Sequence, residues 1–256
     1  MGKIIAIVNQ KGGVGKTTTA VNLSSALHDL GLKTLLCDFD PQANATSGLG
    51  VEKRKITTSI YDVVINGTDP AEAVVHTKYG DLLPSTGDLA GAAVELIGMD
   101  NREFQLKNAL QKLRFDYDVI FIDCPPSLEL LTLNGLCAAD SIIVPVQCEY
   151  YALEGLADLM NTLRAVKRKL NPRLDIFGVI LTMFDGRTNF SNQVAEAVRQ
   201  HFPGKVFANV IPRNVRLAEA PSHGIPVMNY DRSSRGSAAY RNLAEEVFQK
   251  LGISKY

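Results

Sequence analysis

An excess of either charge is missing from this 256-residue chain, since Lys+Arg and Asp+Glu both total 27. The whole-molecule field is therefore close to neutral, which argues against a constitutive nucleic-acid coat and leaves attraction to polyanions to local patches. Cysteine is scarce: Cys37, Cys124, Cys137 and Cys148 form no C-x-x-C pair, and three of them fall in or beside apolar runs of strand length. That spacing speaks for reduced, packed thiols over metal ligands or a disulfide framework. No run approaches the ~20 apolar residues of a membrane-spanning helix, and the first residues enter a strand pattern without a signal-peptide profile, so a cytoplasmic protein is expected. Internal repeats, low-complexity tracts and linker-like composition are lacking as well. Hydrophobic residues make up 46% and charged residues 21%, enough for a core, and residues 1–256 are expected to form a single domain.

Apolar runs of strand length stand at Ile4 to Val8, Thr34 to Cys37, Val119 to Ile122, Ile142 to Val146, Phe177 to Leu181 and Val206 to Ile211. Between them lie helical-period segments at Thr17 to Leu30, Arg102 to Leu113, Leu130 to Ala138, Leu153 to Leu170, Ser191 to His201 and Ser237 to Leu251. The alternation predicts an α/β fold with a doubly wound, mostly parallel sheet. Gly31 is placed to cap the first helix. Residues 41–100 are less regular and read as an elaboration of the same domain.

The first strand runs into Asn9-Gln10-Lys11-Gly12-Gly13-Val14-Gly15-Lys16-Thr17-Thr18, followed at once by an amphipathic helix. Strand, glycine loop and helix are the three parts of a P-loop. Gly12, Gly13 and Gly15 let successive backbone N–H groups, Val14 among them, converge on phosphate oxygens at the positive end of the helix dipole. Lys16 would neutralise the β- and γ-phosphates, the Thr17 hydroxyl would coordinate the bridging magnesium, and Thr18 would touch the α-phosphate. The common P-loop form needs glycine where Gln10 stands, so this is a variant. The dinucleotide fingerprint also fails, because its third glycine would fall on Thr18.

Two strands end in acids. Leu35-Leu36-Cys37-Asp38-Phe39-Asp40-Pro41-Gln42 carries carboxylates two apart, which strand geometry puts on one face. A carboxylate at a strand end beside the P-loop can orient a water in line with the γ-phosphate and take up its proton, and Asp40 is the candidate. Acids next to proline also commonly serve only to satisfy loop amides. Val119-Ile120-Phe121-Ile122-Asp123 is an apolar strand ending in an acid, the Walker B arrangement, in which Asp123 would hold a magnesium-bound water.

The loop spells K-G-G-x-G-K-T and thereby resembles the deviant Walker A class of ATPases that contains ParA, Soj, MinD and the nitrogenase iron protein. The runs Gln147-Cys148-Glu149-Tyr150-Tyr151-Ala152-Leu153-Glu154-Gly155-Leu156, Leu181-Thr182-Met183-Phe184-Asp185 and Val210 to Gly224 are similar to the Soj branch, so the likeness covers nearly the whole chain. The resemblance implies an ATP- and magnesium-dependent switch: a weak ATPase that dimerises with ATP, binds double-stranded DNA without sequence preference on the nucleoid, and is released by a ParB/Spo0J-type partner. It implies that Lys11 crosses to the phosphates of the partner subunit, that the D-x-D-P-Q run is switch I with Asp40 catalytic and Asp38 an electrostatic or magnesium-water contact, and that Pro125-Pro126 lie in switch II. It also implies that Pro212 and Asn214, with Met183, line the adenine, and that Arg187, Arg216 and Arg213, with Lys205 as a neighbour, face DNA. A MinD-like membrane-cycling ATPase is the alternative, but it needs a basic amphipathic last helix. Here that helix carries Glu245 and Glu246 beside a Leu243, Val247, Leu251 stripe. Cys124 does not reproduce the iron protein's cluster-ligand context.

Overall fold

The structure is a computed structural model that describes residues 1–127, 129–149 and 152–253, the side chains of Ala152 and Glu154 excepted. In chain order its elements are β1 (Lys3–Ile7), α1 (Lys16–Asp29), β2 (Thr34–Asp38), α2 (Asn44–Gly48), α3 (Ile60–Ile65), α4 (Pro70–Ala73), β3 (Val75–Thr77), β4 (Gly80–Leu83), α5 (Leu89–Glu95) and α6 (Gln105–Leu113). They continue with β5 (Val119–Asp123), α7 (Leu130–Ala138), β6 (Ser141–Gln147), α8 (Ala152–Lys169), β7 (Asp175–Thr182), α9 (Asn189–His201), α10 (Val215–Glu219), α11 (Val227–Tyr230) and α12 (Arg235–Leu251).

The continuous apolar runs form strands because both faces of the sheet are covered. Ile4 and Ala6 point into a layer packed by α3 and α5 to α9, whereas Ile5 and Ile7 point into a layer packed by α1, α11 and α12. This is the period-two geometry of a strand with no wet side. The sheet has seven strands in the order β3-β4-β2-β5-β1-β6-β7, and only β3 runs antiparallel. β1 lies between β5 and β6, so the chain winds outward in both directions from it. The loop after β1 therefore opens at the switch point, where α/β sheets place their ligands.

Two expectations need correction. The segment Val206 to Ile211 is not a strand but meets β7 only at isolated points, through Phe207 N–H to Val179 O (2.9 Å) and Ile211 N–H to Leu181 O (2.8 Å). Between them the chain bows away, because the Glu246 carboxylate of α12 accepts hydrogen bonds from the backbone N–H groups of Ala208 (2.7 Å) and Asn209 (3.1 Å). A carboxylate thus occupies donors that would otherwise form an open sheet edge. Helix α1 is not amphipathic: Thr19 to Leu27 are all buried, since α11 and α12 cover the side turned away from the sheet. The irregular stretch 41–100 supplies β3 and β4, whose pieces of three and four residues are too short to show a period.

Gly31 does end α1, with φ 94° and its N–H bonded to His28 O at 2.8 Å. All four cysteines are free and buried. Among the described residues no helix is long and apolar enough to cross a membrane.

Glu246→Ala removes the acceptor for two backbone donors and is expected to cost about 1–3 kcal/mol. Urea denaturation measures it, and an unchanged midpoint would show that water replaces the carboxylate without loss.

Candidate active site

The P-loop folds as its glycines dictate. Gly13 (φ 75°) and Gly15 (φ 89°) take the left-handed region that disfavours a side chain. Gly15 is the N-cap of α1 and offers no side-chain cap, so the first N–H groups of the helix stay free for an anion. The loop is pinned to the sheet on both sides: Thr182 Oγ1 donates to Val14 O at 2.9 Å, and Asn9 Nδ2 donates to Pro145 O at 2.7 Å. Lys16, only 7% exposed, folds back over the loop and donates from Nζ to Lys11 O at 3.0 Å. Burial lowers its pKa, against the pull of the Asp123, Cys124 and Asp40 charges.

The sheet register brings the acids together. Asp38 and Asp123 are direct neighbours on β2 and β5, and Ile7, the last residue of β1, neighbours Asp123 on the other side. Both acids are fully buried. Asp38 is satisfied: its Oδ2 accepts from Thr46 N–H and Thr46 Oγ1, both at 2.7 Å, and its Oδ1 from Asp40 N–H at 3.3 Å. Burial nonetheless pushes its pKa up to about 6. Asp123 has no hydrogen-bond partner on either carboxylate oxygen. Burial, reinforced by the Asp38 charge, lifts its pKa well above the carboxylate range, while the Thr17 hydroxyl and Lys16 oppose the rise. Asp40, 7% exposed, accepts from Gln42 N–H at 2.9 Å through Oδ1, and no hydrogen bond reaches its Oδ2 among the described residues. Its carbonyl is held by Ser85 Oγ at 2.9 Å.

A buried, unpartnered carboxylate beside a hydroxyl and an ammonium is costly unless a cation or a water bound to one sits there. That arrangement fits magnesium held by Thr17, with Asp123 taking a coordinated water. Among the described residues no cluster of three His, Cys, Asp or Glu side chains is spaced to hold a metal alone. The remaining ligands would come from phosphate and water, as is usual for this ion.

Next to Gly15 and Thr18 opens a cavity of 210 Å³ lined by Thr182, Met183, Ile211, Pro212, Asn214 and Tyr240 among others. Met183 sits at φ 49°, a strained turn after β7 that is fixed by pairing of Phe184 with Pro212. Asn214 Oδ1 caps α10 by accepting from Arg216 N–H at 2.9 Å, which leaves its amide N–H₂ as the donor end. Flat, mostly apolar walls with a few polar groups suit a heteroaromatic base.

A family profile described as an AAA domain matches residues 2–176. The sporulation initiation inhibitor protein Soj of Bacillus subtilis is 55% identical over 249 residues, covering 96% of this chain and 98% of that protein. The chromosome partitioning protein ParA of Myxococcus xanthus is 52% identical, with 98% and 89% covered. The chain belongs to the ParA/Soj family. A solved structure of cobyrinic acid a,c-diamide synthase from Mycobacterium smegmatis with bound ADP and magnesium superposes with a TM-score of 0.86 at 39% identity, covering 100% of this chain and 97% of that one.

The residues that the ParA/Soj likeness alone singled out fall into two groups. Lys11 flanks the site, its backbone N–H donating to Asn9 Oδ1 at 3.0 Å and its ammonium ion-paired with Glu149 of the same chain. Gly12 and Gly13 are exposed, and a Cβ on either would meet nothing within 4 Å.

Arg187 and Arg213 share the charge of Asp185 past the C-terminal end of β7, and Arg216 stands in the first turn of α10. Arg187 makes a two-pronged pair with Asp185 (2.9 and 2.8 Å) and is 90% exposed. Arg213, also at the rim of the cavity, adds its charge to Arg187 in holding Asp185 at about 2. Arg216 pairs with Glu219 (2.7 Å) and Asp231 (3.2 Å). Lys205 is not brought to them: it pairs with Asp175 at the start of β7, roughly 25 Å away along the strand. Tyr150 and Tyr151 lie outside the described residues. Sequence reasoning missed Thr46, Ser85, Glu149 and Tyr240; only Glu149, inside a run already singled out, offered any signal.

The acid pair sets a pH dependence. Both folded-state pKa values lie above the unfolded ones, so their stabilising contribution is full below about pH 4; that of Asp38 is lost as pH rises through about 6, and that of Asp123 is lost as pH rises through its own raised pKa. Asp123→Asn in nucleotide-free protein is expected to be more stable than wild type by about 1–3 kcal/mol near neutral pH, with the gap closing toward about pH 4. Urea titrations across that range measure it, and a gap that does not change with pH would mean that Asp123 carries no buried charge.

Proposed function

We propose that this chain is an ATP-hydrolysing switch that closes into a homodimer around two ATP molecules, binds double-stranded DNA in that state, and partitions DNA with a ParB-type partner. The observation that carries the reading is the orphaned Asp123 carboxylate facing Thr17 and Lys16 under a free helix N-terminus. Only a polyphosphate accompanied by a cation satisfies all of these groups together. The triphosphate occupies the loop, where the N–H groups of Gly13 to Thr18 and the Lys16 ammonium take up its charge. Thr17 directly, and Asp123 through a water, would hold magnesium, whose charge would offset that of the phosphates. Asp40 holds the attacking water with its uncommitted Oδ2 and receives the proton as the water oxygen bonds to phosphorus and the bond to the β-phosphate oxygen breaks. Ser85 and Thr46 position Asp40 and Asp38 through the hydrogen bonds described above.

Dimer closure is supported by Gly12. Its φ is unremarkable and its surroundings are open, so nothing in the protomer demands glycine there. A neighbouring backbone or a crossing lysine does. DNA binding is supported by Arg187, Arg213 and Arg216, whose planar forks suit phosphate. Because each of Arg187 and Arg216 already holds a carboxylate, phosphate must compete for it, which makes a weak, doubled footprint on a dimer a better fit than tight binding by one protomer. Helix α12 buries Leu243 and Val247 against α1 and the sheet, and this gives the membrane-cycling alternative no support.

Asp40→Ala is expected to keep ATP binding and to accumulate dimer in analytical ultracentrifugation, with turnover lowered by at least about 10²-fold. A variant that stays monomeric with ATP removes Asp40 from the catalytic role. Arg187→Ala combined with Arg216→Ala is expected to leave the ATP dimer intact while weakening duplex binding at every sequence, with a flatter salt dependence. Fluorescence anisotropy over a salt series reads this out, and unchanged affinity would locate the DNA surface elsewhere.

A further inference from the structure

Lys11 is held three times over within its own chain. Its N–H bonds to Asn9 Oδ1 at 3.0 Å, its carbonyl accepts from Lys16 Nζ at 3.0 Å, and its ammonium is paired with Glu149. Glu149 is fixed in turn. It stands two residues past the end of β6, its N–H donates to Gln147 O at 2.8 Å, and the preceding Cys148 N–H reaches Thr182 O at 3.4 Å, so the turn is tied to both β6 and β7. The carboxylate therefore stands beside the P-loop on a turn hydrogen-bonded to β6 and β7.

We infer that Glu149 is a positioning residue for Lys11, a counter-ion in the same chain that parks the lysine in the separated protomer and that the γ-phosphate across the dimer must outcompete. The inference rests on the dimer reading above and deepens it by naming what opposes closure. A lysine can answer one strong anion at a time. In the protomer that anion is Glu149; in the closed dimer it is the partner's nucleotide. A triphosphate presents enough charge at the crossing point to repay the lost pair, whereas a diphosphate lacks the terminal group and does not. Glu149 thus raises the threshold for closure without touching either nucleotide, so that only the terminal phosphate carries the equilibrium past it. The pair is partly solvated, with side chains 37% and 33% exposed, and pairs of that kind shift equilibria by at most about fivefold. That is large enough to tune a closure equilibrium and small enough to be broken on every cycle.

The test is sedimentation velocity of wild type, Glu149→Gln, Glu149→Ala and Glu149→Asp with magnesium and either ATP or ADP, alongside fluorescent-nucleotide binding at protein concentrations where only monomer exists. Glu149→Gln and Glu149→Ala are expected to tighten the ATP dimer by about three- to fivefold and to shift any dimerisation with ADP by the same factor. Glu149→Asp should return toward wild type, and monomer affinity for nucleotide should not move in any of them. A role confined to shaping the turn would lower dimerisation in the Gln and Ala variants. Wild type that dimerises while those two variants dimerise equally or more weakly overturns the inference alone. Wild type that stays monomeric with ATP overturns the dimer reading and this inference with it.

Discussion

A carboxylate buried without a partner governs the nucleotide end of this protein. Asp123 ends the central strand β5 with both oxygens unsatisfied, beside a second buried acid one strand over and a lysine whose own charge burial disfavours. Asp38 is satisfied by Thr46, but Asp123 is not, and Lys16 does not relieve it, since that lysine spends its hydrogen bond on the Lys11 carbonyl. A polyanion and its cation would relieve that burial cost. Ligand affinity and the cost of the empty state are two faces of the same burial.

The fold creates that condition through topology. Parallel strands deliver their C-terminal ends to one edge, and the outward winding from β1 opens a crevice where the glycine loop stands between β5 and β6. The same edge receives the turn after β7, with Met183 in a strained conformation, and the segment that Glu246 of α12 pulls off the sheet. The cavity beside the glycine loop is therefore walled by pieces from distant parts of the chain and buttressed by α12, through Tyr240 OH against Thr19 Oγ1 at 3.1 Å.

Charge on the outer surface follows another rule. The arginines past β7 and on α10 are each tied to a carboxylate, so the patch is attenuated in the protomer, in keeping with a chain whose charges balance overall. A surface of this kind gains affinity by being doubled, whereas a strongly basic face would bind polyanions in every nucleotide state.

The sequence by itself determined the five long parallel strands, the glycine loop running into α1 at Lys16 and Thr17, and the two acidic strand ends, because those features are local: a period, a glycine spacing and an acid closing an apolar run are visible within ten or so residues of chain. It misread Val206 to Ile211, where an apolar run that should have added a strand was diverted by a carboxylate some forty residues further on. It left β3 and β4 unseen because short strands carry too few residues to establish a period. Only the tertiary structure decided that Asp38 is satisfied by Thr46 while Asp123 is not, that Ser85 holds the loop of Asp40, that Lys205 stands far from Arg187, and that Lys11 answers to Glu149. Each of those facts depends on register and on which loop falls beside which, and a hydrogen bond between residues that meet only after the sheet has assembled leaves no mark on the spacing of either one.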